Sequence, residues 1–146
     1  MPKPPKEAID VTALLTDLLH AQKRSLHAAA REHGLSPQQT AALWHLEPGL
    51  KLPMSALAEL LMCDASNVTG IVDKLEARDL VRREQGDDRR VKVLTLTKAG
   101  DALRETLRAT LLAPPPWILG LSRDDQRALR DILQRAEALM RAAGGG

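Results

Sequence analysis

Aromatic side chains are almost absent from this chain, which has two tryptophans and neither phenylalanine nor tyrosine. Single-stranded nucleic acids and splayed RNA bases are held by stacking on such rings. Their scarcity argues against that mode of binding, whereas contact with the grooves of a duplex needs no ring. Cysteine occurs once, so no internal disulfide forms and the fold relies on packing. The most apolar run, Leu111 to Leu121, is interrupted by Pro114, Pro115 and Pro116 and is too short to span a bilayer. The opening Met-Pro-Lys-Pro-Pro-Lys leads into a charged amphipathic stretch, unlike a signal peptide. These features predict a cytoplasmic protein with no membrane partner. The formal net charge of +2 permits an anionic partner without demanding one. There is no phosphate-cradling glycine loop, nucleophile–base motif or metal-ligand cluster, so we expect no enzymatic activity, metal or cofactor.

What is present is helical patterning. At 146 residues and 44% hydrophobic, the chain can bury a proper core. Residues 1–9, rich in proline, read as a flexible arm, and residues 10–142 as a single domain. Val11, Leu14, Leu15, Leu18 and Leu19 recur at helical spacing after Asp10, predicting a helix over 10–33 that Gly34 stops. Ser36 caps a second helix with Pro37 in its first turn. A short third helix after Pro53 carries Leu57, Ala58, Leu60 and Leu61. Met62-Cys63-Asp64 is a turn, and Asp64 caps a helix over 65–78 whose apolar stripe is Val68, Ile71, Val72 and Leu75. Leu80–Glu84 and Val91–Thr95 read as strands around a polar loop containing Gly86. Thr97 caps a helix to about Leu112, and Ser122 caps a last helix with Leu129, Ile132, Leu133, Ala136 and Met140. Residues 143–146 read as a disordered tail.

Two short helices, a tight turn and a following hairpin make the winged helix-turn-helix plan. The fold class is therefore mainly α with a small β-hairpin wing, its core at about 36–97. Helices at about 10–33 and 98–142 have apolar faces in excess of that core, which predicts dimerisation. In such a plan the helix after the turn presents a polar face to the major groove. The stripe through Val68 and Leu75 leaves Ser66, Gly70, Asp73 and Ala77 opposite, with Asn67, Thr69 and Lys74 at the flanks. Gly70 weakens a helix by roughly 1 kcal/mol relative to alanine. Its place there suggests close approach of another backbone or of a groove wall, against the alternative of a glycine tolerated on a solvated face. Between Arg82 and Lys92 lie five cations and three carboxylates. Such a run is commonly just a solvated cluster. A wing, however, needs a long cation for the minor groove or its phosphates, with an acidic neighbour to fix its rotamer, and Asp88 with Arg90 offers that pairing.

The stretch Cys63-Asp64-Ala65-Ser66-Asn67-Val68-Thr69-Gly70-Ile71-Val72-Asp73-Lys74-Leu75-Glu76, followed by Asp87-Asp88-Arg89-Arg90-Val91-Lys92-Val93-Leu94-Thr95-Leu96-Thr97 and Gly100, resembles the MarR family of bacterial regulators. Gly34-Leu35-Ser36-Pro37-Gln38-Gln39 is similar to the start of that family's second helix. The resemblance implies a homodimer with recognition helices in successive major grooves of double-stranded DNA and wing arginines at the minor groove. It also implies sequence-specific regulation, with repression relieved by a small ligand. It carries Ser66, Asn67, Thr69, Lys74, Asp88 and Arg90 over as contact or supporting positions; Gly70 and Arg89 join them from the reading of the residues. Two-fold symmetry predicts pseudo-palindromic operators with half-sites about 10 base pairs apart. Ala65 and Gly70 depart from the longer polar or basic side chains frequent in the family, which shifts base readout towards close fit, water and DNA shape. A winged helix used only for protein contacts stays the alternative.

Cys63 reads as a buried structural cysteine, with no basic neighbour in sequence to activate it. His20, Arg24 and His27 share a face of the first helix, but no third ligand accompanies the two histidines. Trp44 reads as core. A pocket lined by Trp44 with Arg24 or a nearby histidine would suit a small aromatic or anionic effector of the kind bound by similar proteins. Trp117 is expected to pin a loop.

Overall fold

The computed structural model describes residues 3–144. The first two residues of the expected arm and the last two of the expected tail lie outside the described residues. In chain order the elements are α1 (Lys6–Glu32), α2 (Pro37–His45), β1 (Leu52–Pro53), α3 (Met54–Leu60), α4 (Ala65–Ala77), β2 (Val81–Gln85), β3 (Lys92–Leu96), α5 (Lys98–Leu112), α6 (Pro116–Leu119) and α7 (Arg123–Ala143). The chain divides between Leu111 and Leu112 into two compact units. No helix among the described residues is long and apolar enough to cross a membrane.

Capping chemistry sets most helix starts. Ser36 and Gln39 form a reciprocal capping box at α2: the Ser36 hydroxyl accepts from the Gln39 N–H at 3.2 Å, and Gln39 Oε1 accepts from the Ser36 N–H at 2.8 Å. Thr97 performs two tasks before α5, accepting from the Gly100 N–H at 3.0 Å and donating to the Asp79 carbonyl at 2.6 Å. A Cβ on buried Gly100 would overlap the Leu80 carbonyl oxygen, so α5 can start against the chain entering β2 only because this residue is glycine. The first helix begins at Lys6 rather than at Asp10. Pro5 supplies the extended residue before the helix, and Lys6 to Ile9 continue it without a breaker.

The core of the first unit joins Leu43 and Leu46 around the end of α2, Leu57 of α3, Val68, Val72 and Leu75 of α4, Val81 and Leu94 of the sheet, and Leu107 of α5. Burying each of these leucines contributes about 2 kcal/mol. From α1 only Ala30 is fully buried, while Ile9, Val11, Leu14, Leu15 and Leu19 are exposed.

The hairpin is part of a three-stranded antiparallel sheet in the order β1-β3-β2. Its strands pair Val81 with Leu96 through to Gln85 with Lys92, each strand lying one residue later in the chain than expected. The added strand β1 pairs Leu52 with Leu94 and Pro53 with Val93. Two residues have no period to read, which is why a sequence pattern could not announce it.

The second unit contains α6 and α7. Ser122 caps α7 by accepting from the Asp125 N–H at 3.1 Å, and the Gln126 amide reaches back to the carbonyls of Ile118 and Leu121. No residue of α7 is buried; Ile132, Leu133, Leu139 and Met140 are exposed. Trp117 stands exposed on the one-turn helix α6 rather than pinning a loop, because the prolines before it start a helical turn instead of folding the ring inward.

Candidate nucleic-acid interface

The helix-turn-helix is formed by α3 and α4 around Leu61-Met62-Cys63. Met62 takes a left-handed conformation (φ 50°) that lets the chain reverse in so few residues, and its side chain is 93% exposed. Asp64 then opens α4. Its carboxylate accepts from the Asn67 N–H and from the Ser66 hydroxyl, both at 2.8 Å. These two bonds, the backbone one foremost, hold the Asp64 carboxyl below the usual aspartate range, so the cap is charged at neutral pH.

Packing of Val68, Ile71, Val72 and Leu75 rotates α4 so that Ser66, Asn67, Thr69, Asp73 and Lys74 are exposed and Gly70 is partly so. Their polar groups are not equivalent. The Ser66 hydroxyl donates to Asp64 and the Thr69 hydroxyl to the Ala65 carbonyl at 2.8 Å, so each keeps only acceptor capacity. The Asn67 carboxamide and the Lys74 ammonium have no partner among the described residues. A free carboxamide has both a donor and an acceptor for an adenine edge. Among the described residues, and leaving aside its chain neighbours and the backbone of its own helix, no atom lies within 4 Å of a Cβ placed on Gly70. The close neighbour suggested by this glycine is therefore not found among the described residues, and the space over Gly70 is open.

The wing departs from expectation in two respects. Asp88 Oδ1 accepts from the Arg90 backbone N–H at 2.9 Å, so it shapes the turn and leaves the Arg90 guanidinium unfixed. A carboxylate two residues before an amide closes an Asx turn at short range, which competes with the longer reach to a side chain. The turn is closed further by Gly86 N–H to the Val91 carbonyl at 2.8 Å. Secondly, the five cations divide by role. Arg82 lies 3.7 Å from Asp79 and Arg83 is held by Asp73 and Glu76, whereas Arg89, Arg90 and Lys92 are exposed and make no ion pair among the described residues.

Arg83 is the feature that pattern reading missed. Its guanidinium bonds Asp73, Glu76 at 3.4 Å and the Thr69 carbonyl at 3.3 Å, and its backbone N–H donates to Glu76 at 3.0 Å. The available signal was strand alternation: Val81 faces the core, so Arg83 two residues on shares its face and meets α4.

A cavity of about 220 Å³ lies between α1, the start of α2 and the helix-turn-helix, lined by Lys23, His27, Gln38, Leu61, Cys63 and Ile71 among others. Trp44 and Arg24 do not line it, and Trp44 is only half-buried. Cys63 is likewise half-buried rather than fully buried: the turn packs it against the edge of the core, where it lines this cavity. Among the described residues no three His, Cys, Asp or Glu side chains cluster to hold a metal.

Comparison with known proteins follows this geometry. The MarR family model matches residues 33–91, from the end of α1 into the wing. The chain is 32% identical over 73 residues to the HTH-type transcriptional regulator MhqR of Bacillus subtilis (strain 168), a match covering 49% of this chain and 50% of that protein, so it spans about half the relative's length. A transcriptional regulator of Thermotoga maritima superposes with a TM-score of 0.80 at 22% identity over 94% of this chain and 98% of its own. A mutant of MepR from S. aureus, bound to an oligodeoxyribonucleotide, does so with a TM-score of 0.64 at 19% identity over 89% and 97%. MhqR and the Thermotoga protein are both transcriptional regulators by name. The helix-turn-helix and the start of the wing are thus similar to the MarR family model, and the winged fold of these regulators extends over nearly the whole chain.

Proposed function

We propose that the protein is a sequence-specific regulator of transcription that binds double-stranded DNA as a homodimer in the cytoplasm. The observation carrying this reading is the open polar surface of α4, with the unpartnered Asn67 carboxamide beside Gly70, next to a wing whose Arg89 and Arg90 have no carboxylate to hold them. Asn67 reads a base edge, Ser66, Thr69 and Lys74 contact the backbone or its water, and Gly70 admits the groove wall. Arg89 and Arg90 reach the minor groove, with Asp88 shaping their turn. The oligonucleotide held by the MepR mutant supports the same use of the fold here.

The exposed apolar residues of α1 and of α7 support self-association, and a two-fold dimer suits pseudo-palindromic operators. Repression is relieved by a small anionic or aromatic ligand. The cavity beside Cys63 favours this, since Lys23 and His27 face an apolar wall that includes Ile71 of α4.

Selection of genomic fragments by the purified protein, followed by titration of an enriched duplex against salt, tests the central claim. Affinity should fall log-linearly with salt by a slope of about −0.9 per neutralised phosphate. Arg90→Ala should remove about one such unit. No enrichment and no salt-dependent binding would reject the DNA-binding reading. For the effector, salicylate-like anions should release the duplex, and Lys23→Ala should abolish that release.

A further inference from the structure

We infer that Arg83 is a positioning residue for the DNA surface, an internal counter-ion and brace that readies α4 and the wing as one unit without itself touching DNA. The helix offered to the groove is a poor polyanion ligand by its own charge. Over residues 64–77 it carries Asp64, Asp73 and Glu76 against the single cation Lys74. Asp73 and Glu76 sit one turn apart on an exposed face, where both would repel phosphates. The Arg83 guanidinium takes both carboxylates and also bonds the Thr69 carbonyl, next to Gly70. Its side chain is 26% exposed, against 56% for Asp73, so the cation lies inward of the anion it neutralises.

The second consequence is geometric. The Arg83 backbone N–H is also bonded to Glu76, so β2 is tied to α4 through main chain and side chain together. The distance from the Asn67 surface to the tip bearing Arg89 and Arg90 is then set before DNA arrives, which spares ordering cost on binding. At the other end of α4, Arg78 donates to the carbonyls of His33 at 2.7 Å and Gly34 at 3.2 Å. The recognition helix is thus moored by arginines at both sides, neither of them among the cations free to reach phosphate.

This inference rests on the DNA-binding reading for its affinity effects but also has a readout without DNA. Arg83→Met should weaken duplex binding by at least about tenfold, roughly 1.4 kcal/mol, while the salt slope stays as in the wild type. Adding Asp73→Asn and Glu76→Gln to Arg83→Met should restore much of the loss, since no bare carboxylates then face the phosphates. Arg83→Lys, which keeps the charge but not the fork, should fall between. A slope reduced by about 0.9 with no rescue would make Arg83 an ordinary phosphate contact and overturn the proposal. In the free protein, hydrogen exchange over Thr69–Ala77 and Val81–Gln85 should quicken in Arg83→Met, and unchanged exchange there would also overturn it. Should Arg83→Met fail to fold, Asp73→Asn/Glu76→Gln replaces it, and that chain must show the same quickened exchange in β2. If the wild type binds no duplex, the functional reading falls, and exchange alone decides whether the brace exists.

Discussion

Two helices of this molecule, α4 and α7, are both amphipathic, yet they meet opposite fates. In α4, thirteen residues long, Val68, Ile71, Val72 and Leu75 are buried. In α7, twenty-one residues long, none is buried although Ile132, Leu133 and Met140 follow the same kind of spacing. An apolar stripe states only that a helix needs a partner; whether that partner lies within the same chain is decided by the surrounding elements. For α4 they are α2, α3 and β2, all of which contact it. The difference separates a helix held for presentation from one whose apolar stripe is left uncovered.

The sharpest way to break the contrast is to cut each stripe. Leu75→Ala should destabilise the first unit by about 2–5 kcal/mol, as a fully buried leucine leaves a cavity. Thermal unfolding measures it, and a change below about 1 kcal/mol would mean the site collapses freely. Leu133→Glu in α7 should leave the stability of the first unit unchanged while weakening self-association by at least about tenfold, roughly 1.4 kcal/mol. Sedimentation over a concentration series reads this, and an unaltered dimer would place the contact elsewhere.

Smaller effects sharpen the comparison. Gly70→Ala should stabilise α4 by about 1 kcal/mol, because the new methyl meets open space within the chain. Duplex affinity should drop in the same variant, so that stability and binding move in opposite directions; a rise in both would show that nothing approaches Gly70. The smallest effect concerns the caps. Asp64 has a lowered folded-state pKa, so its share of stability is present above the ordinary aspartate value and is lost as pH falls through the folded one. Amide protection at Asn67 and Val68 should therefore be level near neutrality and decline below about pH 4. Asp64→Asn should remove that acid limb. Ser122, which caps α7 through an uncharged hydroxyl, offers the built-in contrast.

Much of this architecture was legible because it rests on local rules. Ser36, Asp64 and Ser122 occupy the cap positions that their short side chains suit, and the four-residue stripe of α4 is buried as its period requires. The exposed placement of Ser66, Asn67, Thr69 and Lys74 follows from the same period, and that of Arg89 and Arg90 from their place in a polar turn. What escaped is non-local. Strand β1 exists only through pairing with β3, some forty residues on in the chain. The division of wing cations depends on which carboxylates α4 turns towards β2, and no composition of Arg82 to Lys92 reveals that Asp73 and Glu76 have claimed Arg83. The cavity took Cys63 and His27 rather than Trp44 because a three-dimensional hollow has no sequence spacing.

The two-residue strand has a consequence for solubility. A small projecting sheet exposes open rims on which foreign β-segments can grow. Here one rim ends in Pro53, which has no N–H to offer, and the other carries Arg82 and Glu84 on its outer side. The protein can hold its finger out in a crowded solution with little risk of stacking into fibres.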